Sequence, residues 1–317
     1  MQVPTYDDVV AAHERIRSFV HRTPVLTSRF MNERAGARLF FKCENLQKAG
    51  AFKARGAVNA VLGLSDAMAA KGVATHSSGN HGLSLCYAAQ RRGIPATVVM
   101  PYDAAEAKKA AVRDYGGTIV ECEPSISARE AAIAKVLAET GADFIHPYDD
   151  PRVIAGQATC AKELIEDFGP LDAVIAPIGG GGLISGTSLA LSTLAPEAKV
   201  YAAEPANADD AYRSLKAGRI ITDDAPQTIA DGLKASLKEL TWHFVSRHID
   251  GILTVSEEEI IQAMRLTWQR MKIVIEPSSA VALAAIFKNQ DVFSSKRVGV
   301  ILTGGNVDLD KLPWLAH

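Results

Sequence analysis

The sequence predicts an α/β protein built on mostly parallel sheets. Three observations predict it: short runs rich in β-branched residues alternate with longer stretches of helical period, these runs are apolar throughout, and glycine-rich turns follow several of them. Wholly apolar strands separated by helices belong to sheets covered on both faces, which argues against a barrel of amphipathic hairpins.

Taken in order, the N-terminal MQVPTYDDVVAAHERIRSFV mixes charges into its apolar positions and lacks the apolar core of a secretion signal. Strands are then expected at Gly72-Val73-Ala74-Thr75, Ala96-Thr97-Val98-Val99-Met100, Thr118-Ile119-Val120-Glu121, Ala173-Val174-Ile175-Ala176, Lys199-Val200-Tyr201-Ala202 and Arg297-Val298-Gly299-Val300-Ile301-Leu302. Helices are expected over 83–92 and 127–139, and from Leu183 onward. No internal repeat or Pro/Ser linker divides the chain, so composition alone sets no domain boundary.

The 317 residues, 48% hydrophobic and 22% charged, are ample for a packed core. A formal net charge of −2 gives no excess of cations to neutralise a nucleic-acid backbone, so small molecules are the expected partners. No stretch reaches the apolar length of a membrane span, which excludes a membrane partner and makes the cytoplasm the default location. Cys43, Cys86, Cys122 and Cys160 form no CxxC pair and read as thiols in a reducing compartment.

Ligand sites in such sheets lie beyond the carboxyl ends of strands, where a loop turning into a helix exposes backbone N–H groups. Three segments fit: Thr75-His76-Ser77-Ser78-Gly79-Asn80-His81-Gly82, Gly179-Gly180-Gly181-Gly182, and Thr303-Gly304-Gly305-Asn306. Four consecutive glycines permit positive φ and let several N–H groups converge on an anion, a phosphate being the natural guest; the alternative is a flexible turn. Their spacing matches neither a P-loop nor a dinucleotide fingerprint. Lys53, in AGAFKARGA, taken by its own window is as readily a solvated surface lysine.

Together AGAFKARGA, SSGNHG, the GGGG loop, AEPANADD and TGGNVDL resemble serine racemase and the serine/threonine dehydratases, the fold-type II pyridoxal-phosphate enzymes, from about Val3 to about Leu309. The resemblance implies two open, mostly parallel sheets flanked by helices. It also implies a large cofactor-binding domain over 1–47 and 151–317 and a small mobile domain over 48–150. Lys53 matches the lysine that carries the cofactor as a Schiff base, next to Phe52. Gly179, Gly180, Gly181, Gly182 and the Leu183 amide match the phosphate cradle, Asn80 the partner of the cofactor's 3-hydroxyl, and Thr303 the hydroxyl facing the pyridine nitrogen. A hydroxyl there stabilises a pyridinium less than a carboxylate would, which suits prompt β-elimination.

Ser78 matches a serine that exchanges a proton on the opposite face of the cofactor, though a turn or helix cap accounts for it equally. With it, racemisation and dehydration are not separable by motif. Ser77, Ser78, Asn80 and His81 are candidates for the substrate carboxylate. Arg129 matches an arginine able to pair with a second acidic group, which would favour 3-hydroxyaspartate; on an exposed helix face it would only be solvated. Glu204, the Ala208 carbonyl and Asp210 match a divalent-metal site for Mg²⁺, Ca²⁺ or Mn²⁺, against the alternative of acidic residues at a helix N-terminus. Glu276 aligns with a glutamate near the cofactor ring and could equally cap the following helix.

Two positions depart from the family pattern. Ala51 replaces a common serine, and Leu83 replaces the glutamine that accompanies nucleotide activation in animal serine racemase. The chain's end at His317 leads us to expect no C-terminal regulatory domain of the biosynthetic threonine dehydratase kind. The expected activity is dehydration and deamination of 3-hydroxyaspartate, serine or threonine in a homodimer. Serine or aspartate racemisation is the alternative, and a non-catalytic metabolite binder the alternative of another class.

Overall fold

The computed structural model describes residues 2–77, 79–104 and 106–315. Among them are ten strands: β1 (Val25–Leu26), β2 (Arg38–Cys43), β3 (Val73–His76), β4 (Ala96–Pro101), β5 (Thr118–Cys122), β6 (Asp143–Phe144), β7 (Ala173–Pro177), β8 (Lys199–Pro205), β9 (Gly251–Val255) and β10 (Arg297–Leu302). All six strands expected from the sequence are there. The four it misses have little signal: β1 and β6 are two residues long, and β9 is a five-residue run opening on glycine. β2 begins on Arg38 and carries Lys42, a charge that reads as surface until its buried partner is seen.

The strands form a six-stranded sheet in the order β1-β2-β10-β7-β8-β9 and a four-stranded sheet in the order β5-β4-β3-β6. Every pairing is parallel except β1 with β2; Val300 lies opposite Phe41 on one side of β10, and Ile175 opposite Tyr201 across β7 and β8. Both faces of the larger sheet are apolar, as continuous hydrophobic strands require. Ala173 and Ile175 of β7 join a core with the helix Pro277–Lys288, while Val174 and Ala176 face the helices Pro151–Phe168 and Gly182–Leu194. A further core packs the helices Lys53–Leu62 and Asn80–Arg92 against β3 and β4. All four strands of the smaller sheet lie between residues 73 and 144.

Behind the larger sheet's edge a closed set of charges is completely buried. Arg55 makes paired bonds to both Glu44 and Glu163, at 2.7–2.8 Å, and Lys42 Nζ donates to Glu163 at 2.6 Å. Two cations meet two anions, so no net charge is left in the interior. Arg55 stands two residues after Lys53, so this cluster fixes the first turn of the helix that carries that lysine.

Candidate active site

Parallel strands send their carboxyl ends to one edge of a sheet. There β7 runs into the four glycines, its neighbour β10 into Thr303, and β8 into Glu204 and the 206–208 turn, while β3 of the smaller sheet runs into the loop before Asn80. Side chains tie the two sheets' loops together. Asn80 Nδ2 donates to both Glu276 oxygens, at 2.8 and 3.1 Å, and Asn306 Nδ2 donates to Asn80 Oδ1 at 2.9 Å.

Lys53 opens its helix behind Phe52, whose N–H donates to the Thr303 carbonyl at 2.9 Å. Its amine donates to the Pro147 carbonyl at 2.7 Å and lies 5.2 Å from the Phe52 ring centre. Burial lowers its pKa to about 8. The surface reading of this lysine is thereby corrected: the Gly-punctuated window turns the chain inward. The turn is strained at Ala49, with φ +55, while Gly50 takes φ +69 at no steric cost. Asn306 Nδ2 donating to the Ala49 carbonyl, and the Gly305 N–H to that of Gly50, hold it in place.

Glu276 stands at the N-cap of the helix Pro277–Lys288 but makes no side-chain capping bond there; its carboxylate turns to Asn80 instead, which corrects the capping alternative. Burial pushes it up to about 8. Thr303 is buried beside Gly304, and an antiparallel bridge joins Gly304 to Ala51.

Of the four glycines only Gly181 has positive φ, +89. Positive φ therefore accounts for one of them, and close approach explains the others. A Cβ would meet the Leu233 backbone at Gly179, the Tyr148 ring at 2.5 Å at Gly180, and the Tyr148 backbone at Gly182. The helix Gly182–Leu194 begins here, so the N–H groups of its first turn, Leu183 included, have no intrahelical acceptor and point to the loop.

His81 is fully buried with Nε2 3.0 Å from the Ile145 carbonyl. A carbonyl only accepts, so Nε2 carries the proton and Nδ1 is a bare acceptor, without a partner among the described residues. Burial, then the Lys53 charge, hold this imidazole far below its usual range. Ser77 Oγ accepts from the Gly79 N–H at 3.3 Å. Ser78 lies outside the described residues. Arg129, on the helix Ile126–Thr140, is half-buried, with Nε shielded and without a partner among the described residues; its charge reaches His76 at the end of β3.

Glu204 and Asp210 are both buried, with Ala208 between them. The Glu204 oxygens accept the Ala211 and Tyr212 N–H groups at 3.0 and 2.8 Å, so Glu204, not the acidic pair 209–210, satisfies the N-terminus of the helix Asp210–Ala217. Asp210 Oδ2 is left buried without a partner among the described residues. Two interior carboxylates with an orphaned oxygen and no buried cationic side chain bonded to either fit a hard divalent cation.

Sequence reasoning missed Asn306, Pro147 and Tyr148. Asn306 was visible as the end of the third loop. The other two carry no motif and enter only because the chain returning from β6 crosses the site.

A buried amine near neutral pKa, a glycine cradle at a helix N-terminus and an amide–carboxyl pair between them define the site of a pyridoxal-phosphate enzyme on a two-sheet α/β fold. Residues 16–304 match the family of pyridoxal-phosphate dependent enzymes, and the chain belongs to it. The beta-hydroxyaspartate dehydratase of Paracoccus denitrificans (strain Pd 1222) is 67% identical over 314 residues, 99% of this chain and 100% of that protein. The serine racemase of Dictyostelium discoideum is 48% identical, with 98% of each chain covered. The structure of maize serine racemase superposes with a TM-score of 0.96 at 44% identity, covering 99% of this chain and 97% of that one.

Proposed function

We propose that this enzyme dehydrates and deaminates 3-hydroxyaspartate, giving oxaloacetate and ammonia. The observation that carries the reading is the Lys53 amine, buried, near pKa 8 and bonded to a carbonyl beside the glycine cradle. Bound through Lys53, the cofactor supplies a sink for the electrons left at Cα when its proton is removed.

The chain's own groups do the rest. Once displaced by the substrate's own amine, the Lys53 amine would take the Cα proton, the Pro147 carbonyl would accept a hydrogen bond from the ammonium so formed, and that ammonium can pass the proton to the departing β-hydroxyl, which leaves as water. The N–H groups of residues 179–183 would hold the phosphate, Asn80 the ring hydroxyl and Thr303 the pyridine nitrogen, and Phe52 and Glu276 would line the ring. The Ser77 and Ser78 hydroxyls and the backbone N–H groups of Asn80 and His81, at the start of the helix Asn80–Arg92, bind the α-carboxylate, since the His81 ring offers only the bare acceptor Nδ1. Arg129, its Nε buried without a partner, meets the second carboxylate that distinguishes hydroxyaspartate from serine and threonine. Glu204, the Ala208 carbonyl and Asp210 hold a divalent cation.

We read residues 48–150 as a small domain that closes over the site, and the assembly as a homodimer. The unpaired Cys43, Cys86, Cys122 and Cys160 support a cytoplasmic location. Racemisation is the second reading, supported by likeness to serine racemases along the whole chain. It needs a proton donor opposite Lys53, the role Ser78 would fill.

The test is a keto-acid and ammonia assay over hydroxyaspartate isomers, serine and threonine. Oxaloacetate from hydroxyaspartate as the best product supports the reading; preferred turnover of serine overturns it. Lys53→Ala abolishes turnover and the visible absorbance of the bound cofactor. Arg129→Ala raises KM for hydroxyaspartate roughly tenfold or more, the loss of a charge-assisted pair, and leaves serine unaffected.

A further inference from the structure

We infer that Tyr148 is a positioning residue for the cofactor's phosphate: its ring is the wall that closes the glycine loop, and Gly180 is glycine in order to admit it. The inference rests on the assignment of residues 179–182 to the phosphate.

Gly180 has no positive φ, so its backbone would accept any side chain. What forbids one is the Tyr148 ring, three carbons of which would lie 2.5 Å from an added Cβ. The backbone and Cβ of Tyr148 likewise stand at 2.9–3.1 Å from the corresponding position at Gly182. A single residue therefore covers two of the four glycines.

The ring has no easy retreat. The Tyr148 and Asp149 N–H groups donate to His146 Nδ1 at 3.4 and 2.9 Å, Asp149 Oδ1 accepts from the Thr241 N–H at 3.3 Å, and the His146 ring meets Tyr148 edge-on at 4.6 Å. Thr241 itself touches Gly181. Just before Tyr148, the Pro147 carbonyl takes the Lys53 amine. One short segment thus spans both ends of the cofactor site, the amine and the anion. An aromatic face against the loop keeps water from it, and N–H groups shielded from water bind an anion more strongly. Burial pushes the Tyr148 phenol upward, so the wall stays uncharged beside a phosphate.

The experiment titrates apoenzyme with pyridoxal phosphate and with pyridoxal, which lacks the phosphate, and reads the two affinities. Tyr148→Ala should weaken pyridoxal phosphate about tenfold, on the order of 1.4 kcal/mol, and leave pyridoxal unchanged. Tyr148→Phe should keep both affinities, because the ring and not the hydroxyl makes the wall. Gly180→Ala should weaken pyridoxal phosphate in the wild-type background and add nothing once Tyr148 is alanine. If Tyr148→Ala does not fold, Tyr148→Leu takes its place. Equal loss of both ligands, an unchanged affinity, or the same Gly180→Ala penalty in both backgrounds overturns the inference. A wild-type enzyme that does not prefer pyridoxal phosphate over pyridoxal overturns the loop assignment beneath it.

Discussion

Glu276 holds its proton to a higher pH than an exposed carboxyl does. Burial lifts its carboxyl from 4.5 to about 8, the Asp231 charge adds to the lift, and the Asn80 amide opposes it. A carboxyl raised in the folded state contributes stability that is complete below 4.5 and is lost as pH rises through about 8. The cofactor-free chain should therefore weaken across that window in urea unfolding, and Glu276→Gln should flatten the slope. An equally steep slope in the variant would show the proton to reside elsewhere. Lys53 is shifted the other way, from 10.5 to about 8, so its contribution rises with pH above that window and the two are separable. The neighbouring His81 keeps a bare Nδ1, its Nε2 fixed by the carbonyl of residue 145.

Among the elements, the helix Lys53–Leu62 depends most on charge. Its Arg55 binds Glu44 on one side and Glu163 of the helix Pro151–Phe168 on the other, and Lys42 of β2 completes the set. Removing one member strands the others in the interior, which costs about 3–5 kcal/mol. Glu163→Ala should lower the unfolding free energy by that amount, and a loss below about 1 kcal/mol would mean that water reaches the cluster. Burial alone would raise the Glu163 carboxyl, but Arg55 and Lys42 hold it at about 2. A depressed carboxylate contributes stability present above 4.5 and lost as pH falls through about 2, so this cluster resists acid.

At the scale of the whole molecule the loops of the two sheets are tied together around the site. Links between them at the site, among the described residues, include Asn80 to Glu276 and Asn306, the Phe52 N–H to the Thr303 carbonyl, and Lys108 to Asp231 at 2.5 Å on the rim. The rim pair is exposed and worth under about 1 kcal/mol, so the inner links set the spacing. Beyond the far strand of the site, Glu204 and Asp210 place two carboxylates in the interior with one oxygen unpartnered. A cation bound there only in the folded state stabilises it by mass action. Chelation should lower the melting temperature, Mg²⁺ should restore it, and Asp210→Ala should abolish the response; a chelator-insensitive wild type would remove the site. Among the described residues no helix is long and apolar enough to cross a membrane.

The sequence alone carries six of the ten described strands, β3, β4, β5, β7, β8 and β10, and the loops after β3, β7 and β10, because an apolar run and a glycine cluster are local signals. It could not show β2, whose Lys42 is buried only by grace of Glu163, 121 residues away. It assigned the four glycines one common reason. The structure gives them two, a positive φ at Gly181 and close approach at the others, because the groups that crowd them, Leu233 and Tyr148, come from distant segments. Lys53 shows the division most clearly. Its identity and its place after a glycine turn are written in the chain, but its depressed pKa exists only once the Pro147 carbonyl, the loop of Thr303 and the helix behind it have closed around the amine, since desolvation belongs to the packed molecule and not to any window of sequence.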